Sequence, residues 1–226
     1  MTADAVQFYL RHRLQISEWV KLEKRVDDLI RDAVKEGAVD KATKILNGEF
    51  GDADVDFYVR NRSLIREWDA LQAEAGQALH GELLRAAREA GCLASGGVRG
   101  WTEVRVSSPE FDRLVEQKVE IEMGWTKQDL LSTRRGSPFP RIALQLNPHR
   151  WNGENRARLI EATRPVAHEL GMTRKDKWWV HWRMLGAISE SQDLRSYAEA
   201  CVGKLHLASE RFYPMLRDAI AVPGPN

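Results

Sequence analysis

The chain has 226 residues, of which 43% are hydrophobic and 30% charged, with a formal net charge of +1. This length allows one large or two small domains, and the composition excludes a disordered or fibrous protein. No stretch approaches the roughly 18 consecutive apolar residues that a membrane span needs, and residues 1–4 lack the start of a secretory signal. The two cysteines, Cys92 and Cys201, form no motif, which favours reduced thiols in a cytoplasmic protein.

The charge is unevenly distributed along the chain. Residues 1–91 hold 14 Lys and Arg against 17 Asp and Glu, a net −3, which leaves a net +4 for residues 92–226. Residues 124–184 alone hold 12 basic residues against 5 acidic ones, a net +7. Any long-range attraction to a polyanion is therefore expected to act through this basic window.

An internal repeat occupies the N-terminal part of the chain. The segment VQFYLRHR at 6–13 returns as VDFYVRNR at 55–62. The match continues without a gap, so that Trp19 corresponds to Trp68 at the same offset of 49 residues. Two aromatic pairs and a tryptophan preserved in this way indicate the duplication of one unit.

Each copy predicts a long amphipathic helix. Apolar residues recur at steps of three and four over the repeat units at about 5–37 and 54–91, opposite a charged face. A short helix at 39–46 and a turn-rich break at 47–52 connect them. Because neither apolar stripe is stable in water, the helices should pack antiparallel, against each other, the second domain or a partner. The repeat is thus predicted to be a scaffold or a self-association surface.

The sequence changes character after Gly91. A Ser- and Gly-rich stretch at 95–100 is predicted to be a linker between a helical domain at 1–94 and a Trp-rich domain at 101–222. Strands are predicted at 101–106, 119–125, 142–146 and 178–184, helices from Ser108-Pro109, at about 153–170 and at about 192–220, and a hairpin loop at 134–140. This order predicts an α+β fold: a duplicated long-helix segment, the antiparallel helical hairpin, followed by a small, mostly antiparallel sheet with helices on one face.

Alternation in the strands predicts one buried and one wetter face of the sheet. The wetter face is predicted to gather seven residues that are candidates for binding: Glu120, Glu122, Arg141, Gln145, Trp179, His181 and Arg183. A sheet face with tryptophan, histidine and both charge signs suits recognition of a partner. The alternative is a solvated face whose tryptophan packs under a loop or under the N-terminal helices.

Motifs for catalysis and for cofactors are weak. The histidines and cysteines show no metal-binding spacing, and no phosphate-binding glycine loop or nucleophile elbow occurs, so no catalytic residue, metal or cofactor is predicted. Glu116-Gln117-Lys118 matches the Glu-x-Lys string of one nuclease superfamily, in which both side chains share a strand face. No partner aspartate can be placed beside it.

Two functional hypotheses follow, and no residue string identifies a known family. The first is a non-enzymatic protein-binding or regulatory module, in which the helical repeat is the scaffold and the sheet face binds a protein partner. The second is a nucleic-acid-binding protein, conceivably nuclease-like, that uses the basic window, because phosphates attract Lys and Arg and bases stack on aromatic rings. Its candidate residues are Arg134, Arg135, Arg150, Trp151, Arg174, Lys175 and Lys177. A membrane partner is not predicted.

Overall fold

A computed structural model of the chain describes residues 3–96, 100–132, 138–189 and 192–221. These residues form six α-helices and a sheet of five strands, which confirms the predicted α+β class with its long N-terminal helices. Across the described ranges, no helix is both long and apolar enough to cross a membrane.

Apart from β1, the elements follow the predicted order. They are α1 (Ala3–Lys35), α2 (Val39–Asn47), α3 (Ala53–Glu89), β1 (Cys92–Gly96), β2 (Trp101–Val106), α4 (Pro109–Glu116), β3 (Val119–Thr126), β4 (Arg141–Leu146), α5 (Gly153–Glu169), β5 (Trp179–Met184) and α6 (Leu194–Ala221). Ser108 caps α4 as predicted, since its Oγ accepts the Phe111 N–H at 3.4 Å. The predicted hairpin loop at 134–140 lies mostly outside the described residues.

Strand β1 occupies part of the stretch that the sequence predicts as a linker. It pairs antiparallel with β2, from Cys92 opposite Val106 to Gly96 opposite Thr102. Backbone groups make this pairing, so the small residues that resemble a linker are able to form an edge strand. The chain divides into two compact units at 1–75 and 76–226, and the division falls within α3.

The two repeat copies pack against each other within the first unit. Phe8 of the first copy lies 5.5 Å from Trp68 of the second, between ring centroids, and the equivalent pair, Phe57 and Trp19, lies at 5.4 Å. The two tryptophan rings meet at 5.7 Å. Each copy thus places its phenylalanine against the tryptophan of the other, as expected for duplicated antiparallel helices.

The second unit is built on an antiparallel meander with the strand order β1-β2-β3-β4-β5. One face, called the helix face, carries buried residues such as Met123 and Leu144, and α5 and α6 pack on it. The ring of Trp125 is also buried there and donates its Nε1–H to His80 Nδ1 at 3.0 Å. The opposite face, called the tryptophan face, carries Trp101, Trp179 and Trp182.

Candidate recognition surface

A bulge in β5 determines which residues reach the tryptophan face. Leu144 of β4 pairs with His181, but the next residue, Gln145, pairs with Trp179. Val180 is therefore an extra residue without a partner on β4. A bulge of this kind interrupts the alternation of side chains between the two faces of a sheet.

The bulge makes part of the predicted binding face wrong. His181 and Arg183 do not share a face with Trp179. The imidazole of His181 is buried on the helix face, where it stacks on Phe212 with 6.3 Å between centroids. Arg183 is opposite the buried Ile142 of β4, on the same side as His181. Simple alternation places His181 and Arg183 on the face of Trp179. Because of the bulge, Trp182 lies on that face instead.

The remaining predicted residues do come together on the tryptophan face. Arg141 lies at its centre, with its guanidinium carbon 3.7 Å from the ring centroid of Trp179 and 4.1 Å from that of Trp101. A cation that lies over aromatic rings gains on the order of 2 kcal/mol when it is desolvated. Burial lowers the pKa of Arg141 from its ordinary value, although the guanidinium stays charged at neutral pH.

Trp101 reaches this position because β3 has a glycine beneath it. A Cβ atom at Gly124 would lie 2.2 Å from Cζ2 of Trp101, which is far inside van der Waals contact. A glycine inside a strand commonly marks such a close approach. The glycine therefore leaves room for the indole of Trp101 above β3, where the ring contacts Arg141.

Glu122 lies beneath the stacked side chains. Only 2% of its surface is exposed, and its Oε1 accepts the Nε1–H of Trp179 at 2.8 Å. Burial, with the nearby charge of Glu103, raises the pKa of Glu122 to about 8, so the carboxyl is largely protonated at neutral pH. Burial also raises the pKa of its neighbour Glu120.

A groove of about 420 Å³ opens beside this stack. We call it the tryptophan groove, and it is lined by Trp101, Glu103, Gln145, Asp176, Lys177, Trp178 and Trp179. Asp176 fixes its rim, because Oδ1 accepts the backbone N–H groups of both Trp178 and Trp179 at 2.8 Å. Trp178 is 39% exposed. The groove therefore presents an accessible aromatic wall on a fixed backbone.

Among the described residues predicted to bind nucleic acid, the one aromatic ring is buried. Trp151 is 8% exposed and donates its Nε1–H to the carbonyl of Gln117 at 2.8 Å, so its ring is not available to a base. The guanidinium of Arg174 lies 5.1 Å from the ring of Trp182. Arg150, Lys175 and Lys177 are exposed. Arg134 and Arg135 lie outside the described residues.

Among the described residues, no three His, Cys, Asp or Glu side chains cluster as metal ligands would. Glu116 ends α4 and Lys118 precedes β3, so they do not share a strand face as the nuclease interpretation requires. Cys92 Sγ lies 3.4 Å from His206 Nε2, but burial raises the pKa of the thiol, which keeps it protonated.

Sequence reasoning missed Trp101, Glu103, Asp176 and Trp178 as parts of the surface. The glycine at position 124 inside a strand pattern was a signal that another group approaches β3 closely. Comparison of the chain with protein-family models, with curated protein sequences and with solved structures finds no match. Its function is therefore inferred from this geometry alone.

Proposed function

We propose that the chain is a protein-binding module that holds a basic side chain of its partner in the tryptophan groove. The observation that carries this proposal is the position of the Arg141 guanidinium over the rings of both Trp101 and Trp179. The indole rings of Trp101 and Trp179 therefore already bind one guanidinium group, that of Arg141, within the folded protein. Trp178 offers a further indole in the adjoining groove, and it is exposed.

The charge of the groove suits a cationic side chain. Glu103 and Asp176 contribute two carboxylates to its lining, against one ammonium group from Lys177. Carboxylates and indole faces both attract a cation, the first through charge and the second through the ring quadrupole. An arginine or lysine on an extended segment of a protein partner matches both.

The groove is also arranged in advance of binding. Asp176 holds the backbone of Trp178 and Trp179, and Glu122 holds the indole of Trp179. A surface that is already ordered loses less conformational entropy when it binds. In this proposal the helical repeat serves as the scaffold or as a self-association surface, and the protein acts in the cytoplasm, where its buried thiols at Cys92 and Cys201 stay reduced.

The test is selection of a displayed random-peptide library on the full chain and on the Trp178→Leu variant. We expect peptides enriched on the unchanged protein to share Arg or Lys at one position, and we expect no such enrichment on Trp178→Leu. Leu207→Ala is the matched control, because Leu207 is 48% exposed on α6, away from the groove. Enrichment on that control should equal that of the unchanged protein.

A selected peptide is then compared with a copy in which citrulline replaces the shared arginine. Citrulline keeps the shape and removes the charge, so affinity should fall by roughly tenfold for a contact worth about 1.4 kcal/mol. Equal binding of the two peptides would contradict a cation site. If instead a single-stranded oligonucleotide binds the protein and Trp178→Leu abolishes this binding, the nucleic-acid hypothesis replaces the present one.

A further inference from the structure

A second concave site lies on the helix face of the sheet, apart from the tryptophan groove. This cavity of about 360 Å³ is formed by α5, the segment that follows it and β5. Its polar lining consists of Arg164, His168, Thr173, Lys175 and His181, with no acidic side chain among the described residues that line it. We call it the basic cavity.

We propose that the basic cavity binds a small phosphorylated molecule, with the phosphate between Arg164 and Lys175. Two permanent cations match the charge of a phosphate monoester near neutral pH, and the hydroxyl of Thr173 adds a donor. The same cavity is lined by the apolar side chains of Ile160 and Met172, which suit an organic group attached to the phosphate. This inference is independent of the protein-binding proposal.

The local environment of the cations favours an incoming anion. Arg164 has an ion-pair partner, Glu161, at 2.6 Å, but both side chains are more than 60% exposed. Exposed pairs of this kind contribute little to stability, so the guanidinium can turn to a ligand at small cost. Lys175 is exposed on the segment after α5. Within the described part of the chain it forms no ion pair with a carboxylate.

The end of α5 at the cavity opposes an anion only weakly. A helix C-terminus carries a partial negative charge on its last carbonyl groups. Here those groups are occupied, because Met172 N–H donates to the Ala167 carbonyl at 2.7 Å and Gly171 N–H to the His168 carbonyl at 3.0 Å. Gly171 adopts the left-handed conformation, with φ of 67°, that this type of helix ending requires.

His181 at the base of the cavity provides a reporter of binding. Thr163 Oγ1 donates to the Leu159 carbonyl at 2.7 Å, so it accepts from His181 Nε2 at 3.0 Å. The neutral ring therefore carries its proton on Nε2 and takes up a second proton on Nδ1. Burial, together with the charges of Arg164 and Lys175, lowers the pKa of His181.

A bound phosphate changes the charge that His181 experiences. Among the described residues that line the cavity, the charged and titratable groups near His181 are Arg164 and His168 on α5 and Lys175 on the following segment, while α6 contributes the uncharged ring of Phe212. An anion among these cations stabilises the imidazolium, so the pKa of His181 rises on binding. A merely exposed cluster of lysines and arginines would not produce this effect on a buried histidine.

The experiment follows the histidine ring resonances of the full chain by NMR during titration with phenyl phosphate, inorganic phosphate and phenylacetate. We expect saturable shifts for His181 with phenyl phosphate, weaker shifts with inorganic phosphate, and a raised pKa of His181 in the bound protein. Arg164→Gln and Lys175→Gln should each lower the affinity for phenyl phosphate by about tenfold or more. Lys204→Gln, an exposed lysine on α6, is the matched control and should bind as the unchanged protein does.

Several results would overturn the proposal. One is an absence of saturable shifts with both phosphates, and another is binding that leaves the pKa of His181 unchanged. A third is an affinity for phenyl phosphate in the Arg164→Gln and Lys175→Gln variants that equals that of the unchanged protein. Tighter binding of phenylacetate than of phenyl phosphate would assign the cavity to carboxylates instead. Binding of an oligonucleotide by a protein that ignores phenyl phosphate would also overturn it.

Discussion

Replacing Glu122 with glutamine tests whether the buried carboxyl of the tryptophan face is protonated. Glutamine has nearly the shape of the neutral acid and keeps a carbonyl oxygen that can accept the Nε1–H of Trp179. Glu122 is 2% exposed and its pKa is raised from 4.5 to about 8. The variant should therefore preserve the fold and remove one titration, and Trp179 should keep its position.

The size of the effect follows from linkage between protonation and folding. Because the folded protein holds this proton more tightly than the unfolded chain does, the contribution of Glu122 to stability is complete below pH 4.5 and is lost as the pH rises to about 8. At about 1.4 kcal/mol per pH unit, the interval corresponds to roughly 5 kcal/mol. That is a large share of the roughly 5–15 kcal/mol that stabilises a typical domain.

The assay is urea unfolding followed by tryptophan fluorescence, from about pH 5 to pH 9. The free energies of unfolding of the unchanged protein and of Glu122→Gln should be similar near pH 5 and should separate by several kcal/mol near pH 8, with the variant more stable. Glu210→Gln, at an exposed position on α6, controls for the loss of one carboxylate and should follow the unchanged protein. Parallel curves for Glu122→Gln and the unchanged protein would refute the protonated carboxyl.

Four further substitutions test the packing of the sheet, of α6 and of the repeat. Gly124→Ala places a Cβ 2.2 Å from Trp101, so it should cost about 1–3 kcal/mol and reduce the near-UV circular dichroism of the indoles. Gly203→Ala, whose Cβ would meet nothing within 4 Å in α6, should stabilise by up to about 1 kcal/mol in the same unfolding assay. In the repeat, Trp19→Ala and Trp68→Ala should destabilise by similar amounts, and the double variant should lose less than the sum, because the rings are in contact at 5.7 Å. A strictly additive double variant would contradict that contact.

Much of the fold was predictable from periodicity in the sequence. The stripes of the repeat follow the helical period, and the predicted units at 5–37 and 54–91 correspond to α1 and α3. Ser108 before a proline identified the start of α4 correctly because a capping hydroxyl and a proline each have a local preference for that position. These signals depend on neighbouring residues only, so a single sequence contains them.

The arrangement of the candidate surface depends on contacts between distant residues, and these were not predictable in the same way. Strand β1 forms through backbone pairing, which leaves little trace in side-chain pattern. The burial of Glu122 depends in part on Trp179. This residue lies far along the chain and meets the carboxyl of Glu122 only after the sheet has formed. Alternation alone indicated a polar face there, and it could not show that one of its carboxyls is buried.

The bulge at Val180 explains how one short strand serves both proposed sites. With strict alternation Trp179 and His181 would lie on the same side of β5, and the indole and the imidazole would compete for one surface. The extra residue separates them: Trp179 stacks on Arg141 at the tryptophan groove, while His181 lines the basic cavity on the helix face. Bulges are enriched beside functional sites because they redirect a side chain without ending the strand. The irregularity that the sequence prediction missed is therefore the feature that gives each face of β5 a side chain in one of the two proposed sites.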